Sequence, residues 1–147
     1  MTDPSLRLQR LEDIEEIRLL KLRYAALCDD DYRPDALADL FTPDGVWDGG
    51  EAYGRYEGRD AIEGYWRSCA ENIPFAIHFI LNHVVDVDPG ADRAKGTCNL
   101  LQPMTLEGRA IWAAVRYDEV YRRFDGDWSF ESMRLTTLLL APHDEGW

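Results

Sequence analysis

The stretch RAIWAAVRYDEVYRRFDGDWSFESMRLTTLLLA, residues 109–141, decides the fold. Two runs rich in Val, Ile, Leu, Thr and aromatic residues meet there at Asp125-Gly126, the strongest short-range signal for a two-residue hairpin turn. Upstream, residues 93–104 form a similar run joined through Glu107-Gly108. Residues 75–88 form a fourth, joined through Pro89-Gly90. Four consecutive antiparallel strands are therefore predicted.

The first half of the chain has a different period. Residues 8–28 lack internal Gly and Pro and are rich in Leu, Ile, Glu, Arg and Ala, which predicts a helix. Its projection puts Glu12, Glu16 and Arg23 on one narrow polar side. Leu11, Ile14, Ile17, Leu20, Leu22, Tyr24 and Leu27 spread over a wide arc, so a helix covered on most sides is expected. Asp29-Asp30-Asp31 ends it. Pro34 suits the first turn of a short second helix, with Asp35 near its positive end. That helix is expected to carry Leu37, Leu40 and Phe41 inward and to stop before Pro43. Short strands are expected at residues 45–47 and 53–56, around Asp48-Gly49-Gly50. Asp60 followed by Glu63 has the form of a capping box, starting a third helix with Ile62, Tyr65 and Trp66. Three helices followed by four strands is an α+β order, distinct from alternating βαβ units. Long antiparallel strands twist, and a twisted sheet with helices on one face forms a cone around a pocket.

Composition limits the function. A chain of 147 residues fits one domain, taken as residues 1–147, and 46% hydrophobic residues suffice for a core. Acids outnumber Lys plus Arg by 28 to 16, a formal charge of −12 that repels phosphate backbones and anionic membranes. Neither nucleic acid nor membrane is an expected partner, while a small neutral or weakly acidic molecule is. Cys28, Cys69 and Cys98 are widely spaced, which implies neither a disulfide framework nor a zinc site. Reduced thiols and early charges at Asp3, Arg7, Arg10, Glu12 and Asp13 give a cytoplasmic location as the simple reading.

The candidate chemistry is a phenol, a carboxylate and an imidazole: Tyr24, Asp29 and His78. Strand parity puts Ala76, His78, Ile80, Asn82 and Val84 on one face. His83 falls on the other unless a bulge intervenes, so one histidine at most lines a given pocket. From parity alone, His78 reads either as a core residue or as a general base. Arg134 is expected in phase with Trp128, Phe130, Ser132 and Thr136, either binding a substrate oxyanion or forming a surface ion pair. Asn82 is a candidate substrate donor. Trp47, Trp66, Phe75 and Trp112 are candidates for an aromatic wall. No Gly-rich nucleotide fingerprint, calcium loop or nucleophile elbow is present.

The order and spacing of several segments resemble the SnoaL-like branch of the NTF2-like superfamily. These are Asp13-Ile14-Glu15-Glu16-Ile17 leading to Tyr24 and Asp29, Leu40-Phe41-Thr42-Pro43-Asp44-Gly45-Val46-Trp47, and Gly58-Arg59-Asp60-Ala61-Ile62. Ile77-His78-Phe79-Ile80-Leu81-Asn82 and the run from Tyr117 to Trp128 complete the pattern. That branch includes scytalone dehydratase, bile-acid 7α-dehydratase and the lindane dehydrochlorinase. The resemblance implies an NTF2-like cone, with three N-terminal helices packed on a strongly curved, mainly antiparallel sheet. It also implies a cofactor-independent lyase of the dehydratase type, acting on a small cyclic, polyketide-like or steroid-like substrate without a metal. His78 would be the base, Asp29 its partner and Tyr24 the charge-stabilising donor, with Asn82, Arg134, Trp47, Trp66 and Trp112 binding substrate. The chain departs from the dehydrochlorinase pattern, which has Lys at the Tyr24 position. It also lacks the second pocket His of the scytalone dehydratase pattern. Two alternatives stand beside the lyase. One is an isomerase with Asp29 as direct base. The other is a non-catalytic binding or assembly module similar to the small subunit of ring-hydroxylating dioxygenases. A homo-oligomer, trimer or dimer, is the expected assembly.

Overall fold

The computed structural model describes residues 3–147. Helix α1 (Pro4–Asp29) begins earlier than its apolar pattern, because Asp3 caps it: its carboxylate accepts from the Ser5 amide at 2.9 Å. Helix α2 (Pro34–Asp39) starts at proline as expected, and Phe41 already belongs to strand β1 (Phe41–Asp48). A single helical turn, α3 (Gly50–Tyr53), precedes the short strand β2 (Arg55–Glu57). Helix α4 (Arg59–Asn72) has Gly58 at its N-cap without a side-chain cap, so Asp60 lies inside the first turn and no capping box forms.

The run at residues 75–88 divides into β3 (Phe75–Ala76) and β4 (Phe79–Asp86), both paired with β5 (Arg93–Leu106). Strands β6 (Arg109–Phe124) and β7 (Asp127–Pro142) complete the sheet. Its order is β2-β1-β7-β6-β5-β3, antiparallel except for β1 alongside β7. Helices thus cover a strongly curled, mixed sheet in the α+β cone anticipated above. The β5–β6 and β6–β7 turns use Glu107-Gly108 and Asp125-Gly126, all four residues at positive φ (50°, 75°, 51° and 87°). This pair of left-handed residues is the geometry that matches a two-residue turn to strand twist.

Helix α1 corrects its expected covering. It buries Asp13, Ile17, Lys21, Tyr24, Ala25 and Cys28, while Leu11, Leu19 and Leu22 stand exposed. Two polar residues are buried there because each finds a partner. Asp13 accepts from Arg123 and from the Trp128 indole, the latter at 3.1 Å. Lys21 Nζ donates to Glu119 Oε1 at 2.6 Å and lies over the Tyr117 ring, 3.4 Å from its centroid. A buried charge survives only when paired in this way.

Two bulges set the inner face of the sheet. On β4 the register moves from Leu81 opposite Asn99 to Val84 opposite Thr97, with Asn82 at φ 54°. This extra residue reverses the alternation. Ile80 faces inward before the bulge, and His83 and Val85 after it. On β7 the register slips beside Glu131. Trp128 and Phe130 are buried before it, Met133 and Leu135 after it.

Candidate active site

Asp29 and His78 meet although 49 residues separate them. Asp29 Oδ1 lies 2.7 Å from His78 Nδ1 and also accepts the His78 backbone N–H at 2.9 Å. The acid comes from the last residue of α1. His78 comes from the irregular link between β3 and β4, not from within a continuous strand. Because that link leaves the ladder, the backbone N–H of His78 is free to bind the carboxylate. One oxygen receiving two N–H donors fixes both the ring and the carboxylate rotamer. The His78 side chain is 4% exposed and that of Asp29 32%. With Nδ1 held by Asp29, Nε2 is the remaining ring nitrogen, and His78 forms part of the wall of an interior cavity.

That cavity has a volume of about 60 Å³. Tyr24, Tyr32, Trp47, Tyr65 and Trp66 supply its aromatic wall, and Cys69, Gln102, Met104 and Tyr117 close other sides. The space suits on the order of four water molecules. It is smaller than the roughly 300–1,000 Å³ of ordinary ligand pockets. A cleft of about 200 Å³ lies on the other side of Tyr32 and Ile73, along Asp29 and β3. Tyr32 and Ile73 form part of both walls. Asp29 borders the outer cleft and His78 the inner cavity, which divides their roles: the imidazole faces the interior and the acid stands behind it.

Tyr24 is buried, and its hydroxyl accepts from Trp47 Nε1 at 3.4 Å. Its ring meets those of Trp66, Tyr117 and Phe130 edge to face. Burial holds the Tyr24 hydroxyl well above the usual phenol range, with Tyr117 and Cys28 reinforcing the shift. Tyr32 and Tyr117 are likewise pushed up, mainly by burial. These phenols stay neutral donors. Burial also pushes the Cys69 thiol up to about 11 and the Cys98 thiol to about 12.

Trp47 and Trp66 therefore lie at the cavity beside Tyr24 and His78. The other expected substrate binders do not. Asn82 is the bulge residue of β4 and is exposed. Arg134 follows the β7 bulge, which turns it to the outer face above Asp118; the in-phase expectation with Trp128 and Phe130 fails at Glu131. Trp112 faces away, and its indole donates to His143 Nδ1 at 3.0 Å. Phe75 lines the outer cleft. The β4 bulge also brings both histidines to the inner side. His83 Nε2 lies 3.1 Å from the Tyr121 hydroxyl, which donates to Glu119, the partner of Lys21.

Sequence reasoning missed Tyr32, Gln102 and the Lys21–Glu119 pair. Lys21 had a signal, lying four residues after Ile17 and three before Tyr24, on the buried stripe of α1. Among the described residues, no group of three or more His, Cys, Asp or Glu gathers as metal ligands. No described helix is long and apolar enough to cross a membrane.

Comparison with known proteins places the chain in a family. A SnoaL-like domain model matches residues 9–134. Curated proteins show no match to the chain. Among solved structures, a hexachlorocyclohexane dehydrochlorinase, LinA type 2, superposes with a TM-score of 0.84. It is 23% identical, over 92% of each chain. A proposed scytalone dehydratase from Novosphingobium aromaticivorans gives 0.82 at 20% identity, over 92% of this chain and 90% of that one. An NTF2-like protein with a cystatin-like fold from the same organism gives 0.72 at 27% identity, over 94% and 92%. These likenesses establish the fold. The extent of the domain match establishes membership: the chain belongs to the SnoaL-like family of the NTF2-like superfamily.

Proposed function

We propose that the protein is a cofactor-independent lyase of the dehydratase type, acting on a small cyclic, polyketide-like or steroid-like substrate. The observation that carries this reading is the Asp29–His78 pair, with Nδ1 held at 2.7 Å and the imidazole in the cavity wall. Its dehydrochlorinase and dehydratase neighbours support the same class. Neutral His78 accepts through Nε2 a proton from a carbon next to a carbonyl. The C–H electron pair forms the new double bond as the bond to the leaving hydroxyl breaks. The imidazolium returns its proton to that hydroxyl, releasing water. Asp29 holds the reactive tautomer and stabilises the imidazolium. Tyr24 donates to the oxygen on which enolate charge develops. A placed general base contributes about 10²–10⁴-fold, and one such donor about 10²–10³-fold.

Asp29 as the direct base of an isomerase is less well supported, because it borders the outer cleft and its Oδ1 already receives two N–H donors. The contracted cavity favours a second reading, a non-catalytic binding module. In the lyase reading, a ring-sized substrate must displace wall side chains on entry. Exposed Phe79 and Leu81 on the sheet support a homo-oligomer, trimer or dimer, which light scattering of the purified chain measures.

A thermal-shift screen of cyclic ketones, hydroxysteroids and polyketide-like aromatics tests the function. Binders are then incubated and followed by ultraviolet absorbance for a new conjugated double bond. The expected result is loss of water from at least one binder, reduced about 100-fold or more by His78→Ala. Binding without turnover supports the module. Turnover that survives His78→Ala removes the base assigned here.

A further inference from the structure

Two buried side-chain polar atoms lack any hydrogen-bond partner among the described residues, Thr42 Oγ1 and Trp66 Nε1. Thr42 is outside the cavity wall, whereas Trp66 is in it and is 3% exposed. An indole N–H normally finds an acceptor when buried, and an exception calls for an explanation. A ligand bringing its own acceptor is one.

Tyr32, in the same cavity wall, supplies a second donor. Its ring stacks against Trp66, with centroids 5.6 Å apart and planes 14° from parallel. It meets His78 edge to face at 5.8 Å. The Tyr32 oxygen accepts from Gln102 Nε2 at 3.3 Å, so its own proton remains to be donated. Burial keeps that phenol protonated. The cavity wall contains neither Lys nor Arg. A carboxylate or phosphate would shed its hydration there without an unpaired positive charge to meet, since Lys21, behind the Tyr24 and Tyr117 rings, is already neutralised by Glu119, while a neutral oxygen would lose little.

We infer that the Trp66 indole N–H and the Tyr32 hydroxyl form a donor pair that binds a neutral oxygen acceptor, the carbonyl of a flat ketone or enone, and that the site rejects carboxylates and phosphates. This rests on the cavity being the substrate site, but not on His78 being the base. The pair is assigned to binding the ground-state carbonyl, the same oxygen to which Tyr24 donates as enolate charge develops.

The chain holds five tryptophans, so the indole region of a ¹H–¹⁵N spectrum is simple, and Trp66→Phe assigns the Trp66 signal. The probes are 2-tetralone, tetralin as the same skeleton without oxygen, and 1,2,3,4-tetrahydro-2-naphthoate as the anion. The ketone is expected to move the Trp66 indole proton downfield, and tetralin is not. The carboxylate should bind at least about 10-fold more weakly than the ketone. Trp66→Phe and Tyr32→Phe should each weaken ketone binding roughly 5- to 10-fold, as loss of one neutral hydrogen bond predicts. Binding of tetralin to Tyr32→Phe should be unchanged. His78→Ala should still bind the ketone, so failure of the general base is read separately, in turnover. The inference is overturned by an unmoved Trp66 signal, by unchanged ketone affinity in Tyr32→Phe, by equal binding of the anion, or by no ketone binding at millimolar concentration. If Trp66→Phe does not fold, Tyr32→Phe decides alone, since it removes one oxygen and keeps the stacked ring.

Discussion

Replacing Asp29 separates two things it gives His78, a fixed ring and a charge. In Asp29→Asn the amide oxygen still accepts from Nδ1–H. The His78 backbone N–H, 2.9 Å from the same atom, keeps that oxygen rather than the NH₂ toward the ring. Geometry is therefore retained and only the charge is lost. At the 2.7 Å separation the gross Coulomb attraction to an imidazolium is about 6 kcal/mol for an effective dielectric near 20. Asp29 is 32% exposed, so water screens much of it. The net value is then that of a charge-assisted hydrogen bond, about 1.5–3 kcal/mol, or roughly 10- to 150-fold in turnover. Asp29→Ala removes the orientation as well and should cost about 10²–10⁴-fold. Long-range ¹H–¹⁵N spectra of the three histidines read the ring directly. The Nδ1–H tautomer of His78 should persist in Asp29→Asn and give way to a mixture in Asp29→Ala. An unaltered tautomer in Asp29→Ala, or its full turnover of a ketone identified by the screen, would refute the reasoning.

The interior beyond the cavity yields further expectations. Lys21→Met leaves Glu119 buried without its cation and should cost about 3–5 kcal/mol in urea unfolding. The double variant Lys21→Met/Glu119→Gln should recover part of the loss, and a fully stable single variant would contradict the pairing. Burial lowers the pKa of His83, outweighing the opposing effect of Glu119, while Lys21 and Arg18 add to the lowering. The folded state then binds fewer protons than the unfolded one, so this contribution to stability declines as pH falls below about 6.5 toward the lower folded value. His83→Gln should flatten that part of the stability curve, and an unchanged slope would assign it elsewhere. With its thiol pushed up to about 11, Cys69 should resist iodoacetamide at pH 8 in the native protein and react once urea unfolds it. Equal rates in both states would show that the thiol is accessible.

Local signals carried the architecture. Asp125-Gly126 and Glu107-Gly108 adopt the left-handed pairs that such turns need, Pro34 opens α2, and the β-rich second half forms the antiparallel part of the sheet. Each of these is a backbone preference acting over a few residues, and therefore legible without the rest of the molecule. The joining of Tyr24, Asp29 and His78 at one place was suggested by family spacing. The 2.7 Å contact itself depends on where α1 ends against the break between β3 and β4.

Side-chain direction beyond the bulges could not be read in the same way. Alternation along a strand holds only while the register holds, and one inserted residue inverts every position after it. Glu131 turned Arg134 outward, and Asn82 turned His83 inward while standing exposed itself. Helix α1 shows the same limit: its hydrophobic side chains alone predicted a wide covered arc, yet Asp13 and Lys21 are buried and Leu11, Leu19 and Leu22 are exposed. Those burials depend on Arg123, Trp128 and Glu119, partners about 100 residues away in the chain. Turn chemistry and periodicity are written locally and determined the elements and their order. Which faces close around the cavity, and which polar groups survive inside it, depends on pairings between distant residues that only the assembled structure brings within reach.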